Sequence, residues 1–226
     1  MTPNQVTAIR VGAAFAAVAI FTFAGDAVAA DFAAVLLTVM AIVLDGVDGY
    51  LARRQGLSTP LGAQIDILGD RVVENLFFTF FAVSGLISFW VPVLFFVRGT
   101  ITDFIRGVAS RWGRSGFGRQ SMLEGWWARA VVASRFSRGA YATLKCICFC
   151  YLGLLIPLRR LNAPMLEAWL GRSAQFWEVT IGQGLVGVTL GFCLLRAVPV
   201  IWEGRKFFSS AGAEKAREAI ATGVAR

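Results

Sequence analysis

Four aspartates, arranged as two pairs, are the residues of this chain best suited to chemistry. Asp45 and Asp48 are three residues apart, and Asp66 and Asp70 are four apart. Either spacing places both carboxylates of a pair on one face of a helix. Because only a short link separates the two segments, we expect antiparallel neighbouring helices whose acidic pairs face each other at one depth.

Opposed pairs of carboxylates supply the hard oxygen ligands that Mg²⁺ or Mn²⁺ prefers. The chain contains no histidine, and its four cysteines lack the spacing of a zinc site, so imidazole and thiolate metal sites are disfavoured. Two ions about 3.5–4 Å apart could be held, a geometry that clamps a phosphoryl group. Without histidine, a general base must be a carboxylate, lysine, tyrosine or cysteine.

Small residues and one arginine accompany the aspartates. Gly49 and Ala52 follow Asp48 on nearly the face of Asp45, where a planar base could rest, and Arg53 could bind phosphate oxygens. Gly62, Ala63 and Gly69 continue the pattern, although small residues in membrane helices commonly serve packing alone. By residue types alone, a cation or proton pathway is the main alternative, since carboxylates inside membranes also mark transport routes.

The composition indicates an all-α polytopic membrane protein. Hydrophobic residues make up 57% of the 226 residues and charged residues 16%, whereas soluble domains have roughly 45–50% and about 25%. The net charge of +8 comes mostly from basic residues between apolar runs. Such residues suggest loops that face anionic lipid headgroups rather than a surface for nucleic acid.

Six apolar segments are each long enough to cross a hydrocarbon core of about 30 Å. We expect a single transmembrane domain over 1–226, with a short soluble helical tail at about 203–226. The predicted spans run from about Val6 to Gly25, Asp31 to Ala52, Ala63 to Leu86, Phe89 to Val108, Tyr141 to Leu158, and Val179 to Ile201.

The distribution of basic residues predicts the orientation. Arginines are concentrated in the link at 53–62, in the stretch 106–138 and in the tail, which an even number of spans puts on one side. The positive-inside rule places both termini, and with them the acidic site, at the cytoplasmic face of the cell inner membrane. The pair Trp126-Trp127 suggests that Gly113–Arg138 is an interfacial segment.

The acidic segment reads Asp45-x-x-Asp48-Gly49-x-x-Ala52-Arg53, then eight residues, then Gly62-x-x-x-Asp66-x-x-x-Asp70. This pattern resembles the full signature of the CDP-alcohol phosphatidyltransferase family of class-I type, at eight fixed positions. The opening Thr2-Pro3-Asn4-x-x-Thr7-x-x-Arg10 is also similar to the start of many members. The resemblance implies a six-span enzyme of phospholipid biosynthesis that moves a phosphatidyl group from CDP-diacylglycerol to an alcohol and releases CMP.

The resemblance also implies roles for individual residues. Asp45, Asp48, Asp66 and Asp70 would bind two divalent ions, and Asp70 would accept the proton of the attacking hydroxyl. A homodimer is common in the family and is one expected assembly. The residues expected to hold the CDP moiety are Gly49, Ala52, Arg53, Thr59, Asn4 and Thr7.

The signature does not encode the acceptor alcohol, so basic residues at the cytoplasmic ends of the later spans are the candidates. A phosphate-bearing acceptor requires such a basic pocket. We favour glycerol 3-phosphate, as in phosphatidylglycerolphosphate synthases, over inositol phosphate, which the Asp70-Arg71 junction and Glu74 suggest. Serine, another alcohol and a cation-coupled transporter stay open as alternatives. The candidate acceptor-binding residues are Arg98, Arg106, Arg135, Arg138 and Lys145.

Overall fold

The computed structural model describes residues 3–25, 27–55, 60–111, 122–123, 125–161 and 176–208; the side chains of 46–55 and of a few other positions lie outside this description. Within these ranges all regular structure is helical. The helices, in chain order, are α1 (Pro3–Phe23), α2 (Val28–Gln55), α3 (Pro60–Val83), α4 (Trp90–Arg111), α5 (Trp126–Ala128) continued by a π-helical turn (Arg129–Ala133), α6 (Arg135–Arg160), a second π-helical turn (Phe176–Gly182), α7 (Gln183–Gly204) and a 3₁₀ turn (Arg205–Phe208).

The all-α membrane architecture expected from composition is confirmed. In the described ranges, four helical stretches are long and apolar enough to cross a membrane, namely Asn4–Phe23, Val28–Asp45, Trp126–Arg160 and Val179–Phe208. Helices α3 and α4 are long enough but more charged, since α3 carries Asp66, Asp70, Arg71 and Glu74, and α4 carries Arg98, Asp103 and Arg106. Six spans therefore stay a prediction, in which these two helices cross because the bundle shields their charges.

Local signals explain where the helices end and begin. Gly85, in the left-handed region at φ +71°, follows the end of α3, and the Leu86 N–H donates to the Phe81 carbonyl at 3.0 Å. This is a Schellman-type end, which a residue without a Cβ favours. At the start of α6, the Ser134 hydroxyl accepts a hydrogen bond from the Ser137 N–H at 3.1 Å. This N-cap starts the helix at Arg135, six residues before the predicted start of the fifth span.

The chain divides into two compact units, one comprising Met1–Val93 and Lys145–Gly187, the other Leu94–Leu144 and Val188–Arg226. In the first unit the Phe149 ring packs against Phe77, Phe78 and Phe81, with ring centroids 4.8 to 6.4 Å apart. The second unit has its own apolar core, formed by Ile105, Ala109, Met122, Leu123, Ala128, Val132 and Val200. A single functional domain stays a prediction. Of the tail predicted at about 203–226, the structure describes only residues 203–208, which form the end of α7 and the 3₁₀ turn.

A buried ion pair ties helices together within the first unit. Asp31 is fully buried in the first turn of α2, and its Oδ2 lies 3.2 Å from Nη1 of Arg160 at the end of α6. Arg160 also donates to the carbonyls of Gly25 and Phe21, which belong to the turn after α1 and to α1 itself. One guanidinium therefore fixes the ends of three helices at one level.

Replacing this arginine should destabilise the protein much more than replacing its neighbour. Arg160→Met leaves the Asp31 carboxylate buried without its partner, a loss on the order of 3 kcal/mol. Arg159→Met is the matched control, because the hydrogen bonds that Arg159 donates to the Ser84 and Gly85 carbonyls are exposed to solvent. Thermal unfolding in detergent would measure both, and equal midpoints for the two variants would contradict the role of the buried pair.

Candidate functional site

Three of the four predicted aspartates converge in the first unit. Asp45 lies in the second half of α2, and Asp66 and Asp70 lie in the first half of α3. One carboxylate oxygen from each of the three lies within 4.8 Å of the other two. Their side chains are 44–46% exposed, so small solutes can reach them. Asp48 lies on α2 one turn after Asp45, but its side chain is outside the described part.

A buried arginine of α1 is the counter-charge of this acidic group. The Arg10 side chain is 2% exposed, and its Nη1 pairs with Oδ1 of Asp45 and lies 3.0 Å from Oδ1 of Asp70. Its Nη2 lies 3.6 Å from Oδ1 of Asp66 and 3.5 Å from the Asp66 carbonyl oxygen. Carboxylates this close repel one another unless a cation lies among them. The guanidinium reduces that repulsion and joins α1 to α2 and α3.

A glycine allows α1 to come this close to α3. A Cβ added to the buried Gly69 would lie 2.7 Å from Cγ2 of Thr7 and 2.8 Å from Nη2 of Arg10. Both distances are shorter than any normal carbon contact, and the threonine side chain is itself buried. Gly69 therefore fits the close helix approach expected of small residues in this segment. The close contact between α1 and α3 places the Arg10 guanidinium beside the carboxylates.

The donor set fits a divalent metal ion. Three carboxylate oxygens from two neighbouring helices are hard ligands of the type that Mg²⁺ and Mn²⁺ bind. Their partial exposure leaves room for water ligands, which Mg²⁺ usually retains. The three oxygens lie within 4.8 Å of one another, and an oxygen ligand of Mg²⁺ lies about 2.1 Å from the ion. Small rotations of the side chains would therefore bring all three oxygens onto one ion.

The structure describes the predicted CDP-binding residues only in part. Asn4 is exposed in the first turn of α1, and Thr7 is buried against Gly69. The backbone at Gly49, Ala52 and Arg53 belongs to α2, while their side chains lie outside the description, as does Thr59 altogether. Asn4 and Thr7 lie in the first two turns of α1 together with Arg10. These polar residues are therefore at the end of α1 that contacts the three aspartates.

The predicted acceptor-binding residues belong to both units. Lys145 lies on the part of α6 in the first unit, whereas Arg98, Arg106 and Arg138 lie in the second. Arg98 is buried in α4, Arg106 lies 3.5 Å from Asp103, and Arg138 is exposed. Arg135 is the first residue of α6, and its side chain lies outside the described part.

Comparison with known proteins agrees with the signature and with this geometry. The family model for CDP-alcohol phosphatidyltransferase matches residues 1–170. The chain belongs to the CDP-alcohol phosphatidyltransferase family. A curated relative is archaetidylinositol phosphate synthase of Aeropyrum pernix, which is 29% identical over 101 residues, or 45% of this chain and 52% of the relative. The chain thus spans about half the length of that relative.

In this phosphatidyltransferase-family chain, a second charged cluster lies on α3 beyond the aspartates. Glu74 is 2% exposed, and its carboxylate lies 2.9 Å from Nη1 of Arg71 and 3.2 Å from Nζ of Lys145. The two cations are less than a quarter exposed. Glu74 follows Asp70 by one helical turn, roughly 6 Å along the axis. A buried carboxylate thus holds two cations close to the acidic site.

Two buried arginines were not among the predicted site residues. Arg10 follows Asn4 and Thr7 at intervals of three, so the spacing of the opening motif could have placed it on the site face of α1. Arg196 interrupts the apolar run of α7, which marks a functional candidate in a membrane segment. It is 7% exposed and lies in the second unit, where it faces Tyr141.

Enlarging Gly69 should destabilise the protein by forcing α1 away from α3. Gly69→Ala places a methyl group inside contact distance of Thr7, an overpacking cost of about 1–3 kcal/mol. Gly12→Ala on α1 is the matched control, because nothing lies within 4 Å of the added carbon there. It should be neutral or slightly stabilising, as expected for alanine in a helix. A Gly69→Ala protein that melts at the Gly12→Ala temperature would show that the helices are not in such close contact.

Removing the guanidinium should make the acidic site depend more on metal. In Arg10→Gln the three carboxylates lose their counter-charge, so the metal-free protein should melt at a lower temperature than wild type. Added Mn²⁺ should then raise the melting temperature more in the variant than in wild type. Arg159→Gln controls for the loss of an arginine elsewhere in the same unit. An Mn²⁺-induced rise that is the same in all three proteins would rule out Arg10 as the counter-charge.

Proposed function

We propose that this protein transfers a phosphatidyl group from CDP-diacylglycerol to the hydroxyl group of a small alcohol and releases CMP. The convergence of Asp45, Asp66 and Asp70 to within 4.8 Å carries the proposal. These residues belong to the signature of the family to which the chain belongs. A cluster of carboxylates on adjoining helices suits a substrate that carries a pyrophosphate and reacts at phosphorus.

The chain's own residues have distinct tasks in this reaction. Asp70 takes the proton of the acceptor hydroxyl as its oxygen bonds to the phosphorus on the lipid side. The bond from that phosphorus to the CMP oxygen breaks, and CMP leaves. Gly49, Ala52, Arg53 and Thr59, with Asn4 and Thr7 of α1, hold the CDP moiety. When bound by the four aspartates, two Mg²⁺ or Mn²⁺ ions would supply the positive charge that offsets the pyrophosphate.

The charges beyond Asp70 support an acceptor that carries a phosphate. Arg71 and Lys145 bring two positive charges to the buried carboxylate of Glu74, one helical turn from Asp70. An acceptor whose hydroxyl lies at Asp70 could place an anionic group one helical turn further, close to these cations. Glycerol 3-phosphate has that separation between hydroxyl and phosphate. It is therefore the acceptor that we propose, with phosphatidylglycerol phosphate as product.

Inositol phosphate is the second candidate, and one observation favours it. The relative from Aeropyrum pernix is named for the synthesis of archaetidylinositol phosphate. Glu74 and the Asp70-Arg71 junction lie where a polyhydroxylated ring could accept and donate hydrogen bonds. The same cations would bind the phosphate of either acceptor, so the two candidates differ in the hydroxyl-bearing part alone.

The membrane placement completes the proposal. We propose six spans, an active site near the cytoplasmic face, and both termini on the cytoplasmic side of the cell inner membrane. The donor's acyl chains could then stay in the bilayer while its pyrophosphate reaches the aspartates. Serine, other alcohols and a cation-coupled transporter are the competing functions. Family membership argues against the transporter, which would give ion flux in sealed liposomes without any nucleotide.

One experiment tests the reaction and the base together. Purified protein is incubated with CDP-diacylglycerol, Mg²⁺ or Mn²⁺, and a panel of glycerol 3-phosphate, inositol 1-phosphate, serine and choline, and CMP release is followed. Release should need both metal and acceptor and be fastest with glycerol 3-phosphate. Asp70→Asn should lower turnover by roughly 10²-fold or more, because the base is lost, while CDP-lipid binding stays close to wild type.

Glu203→Gln is the control for replacing a carboxylate by an amide. Glu203 accepts a hydrogen bond from the Gly125 N–H at 2.9 Å in the second unit, and the amide oxygen can still accept it. This variant should keep wild-type turnover. Full CMP release by Asp70→Asn would reject Asp70 as the base. Absence of CMP release with every acceptor would reject the transferase itself.

A further inference from the structure

An exposed arginine stacks on an exposed tryptophan at the end of α7, in the second unit. The guanidinium carbon of Arg205 lies 3.8 Å from the ring centroid of Trp202. Trp202 is 55% exposed, and Arg205, the first residue of the 3₁₀ turn, is exposed as well. The apolar stretch Val179–Phe208, which is long enough to cross a membrane, ends three residues later. The ring thus holds this cation in one place, while ligands can still reach it.

Packing against α4 fixes the turn on both sides of Arg205. A Cβ added to Gly204 would collide with the Ile105 side chain, so α7 ends in close contact with α4. At the end of the turn, the Phe208 ring stacks on Phe104 of α4, with centroids 6.0 Å apart. Arg205 therefore belongs to an anchored backbone, which lowers the entropy that it would lose on binding a ligand.

Exposed aromatic rings surround this cation. Phe104 is 62% exposed and Phe208 is 55% exposed, although they stack on each other. The carboxylate of Glu203 accepts a hydrogen bond from the Gly125 N–H at 2.9 Å, which brings the 82% exposed Trp126 to the same end of the unit. Aromatic rings collected at one end of membrane helices are typical of the headgroup region of a bilayer.

The charge exposed beside these rings is positive. Arg205 and Lys206 are consecutive and both exposed. Of the acidic residues described in this unit, Asp103 lies 3.5 Å from Arg106, and Glu203 is buried. A positive charge among apolar rings is complementary to a molecule with a negative headgroup and hydrocarbon chains.

We propose that Trp202 and Arg205 form a surface binding site for the headgroup of an anionic phospholipid. Stacking uses the face of the guanidinium, whose N–H groups lie in its plane and can donate to phosphate oxygens. The acyl chains would lie against Phe104 and Phe208. Phosphatidylcholine should bind less well, because Arg205 repels the cation of its headgroup. The inference rests on the proposed membrane placement and is independent of the proposed reaction.

Fluorescence quenching by brominated lipids tests the site without any turnover. Full-length protein is reconstituted in one mixture of phosphatidylglycerol and phosphatidylcholine, and the bromine, near the headgroup end of an acyl chain, is carried by one lipid or by the other. Because Trp202 is one of seven tryptophans, its contribution is the difference between wild type and Trp202→Phe. Its quenching should indicate about a fivefold enrichment of phosphatidylglycerol, as expected for one basic side chain near the surface. High salt should reduce the enrichment by screening the exposed charge.

Variants of the arginine decide whether it selects the lipid. Arg205→Gln should abolish the enrichment although Trp202 is still present, and Arg205→Lys, which keeps the charge but loses the planar fork, should retain part of it. Arg159→Gln, in the first unit, is the matched control and should keep the full enrichment.

Three results would overturn the site. They are equal quenching of wild-type Trp202 by the two brominated lipids, no quenching of Trp202 by either, and an Arg205→Gln protein that enriches phosphatidylglycerol as the Arg159→Gln control does. A protein that shows the enrichment yet releases no CMP would refute the proposed reaction and leave this lipid site standing.

Discussion

The Arg10 guanidinium lies between carboxylates that would otherwise repel one another, and this contact joins the first three helices. Asp45 comes from α2, and Asp66 and Asp70 come from α3. The repulsion between the carboxylates of these two helices is offset by a cation from a third helix, Arg10 of α1. The cation can reach them only because Gly69 has no side chain. The acidic site is therefore assembled from the packing of three helices and not from the two signature helices alone.

Charge balance follows different patterns in the two units. In the first unit, the buried carboxylates of Asp31 and Glu74 each contact arginine or lysine, and the acidic triad contacts Arg10. In the second unit, Arg98 and Arg196 are buried against neutral groups. Since unpaired charges in a low-dielectric setting are costly, they are found mainly where a ligand supplies the opposite charge.

The sequence predicted the helices well because apolar length and aspartate spacing are local signals. Long apolar runs located the six long helices, and intervals of three and four residues predicted that the aspartates share a face. The short link between α2 and α3 then required Asp45, Asp66 and Asp70 to meet, as they do. The early start of α6 was missed because it depends on one hydroxyl, that of Ser134, whose capping bond cannot be distinguished in sequence from an ordinary loop serine.

The parts that escaped sequence reasoning depend on contacts between segments far apart in the chain. Arg10 and Asp70 are separated by sixty residues, and Arg98 and Arg196 by almost a hundred, so no spacing relates them. The catalytic signature is compact because it lies on two consecutive helices, whereas the predicted acceptor-binding residues come from α4 and α6. For that reason the signature indicates the reaction and leaves the acceptor open.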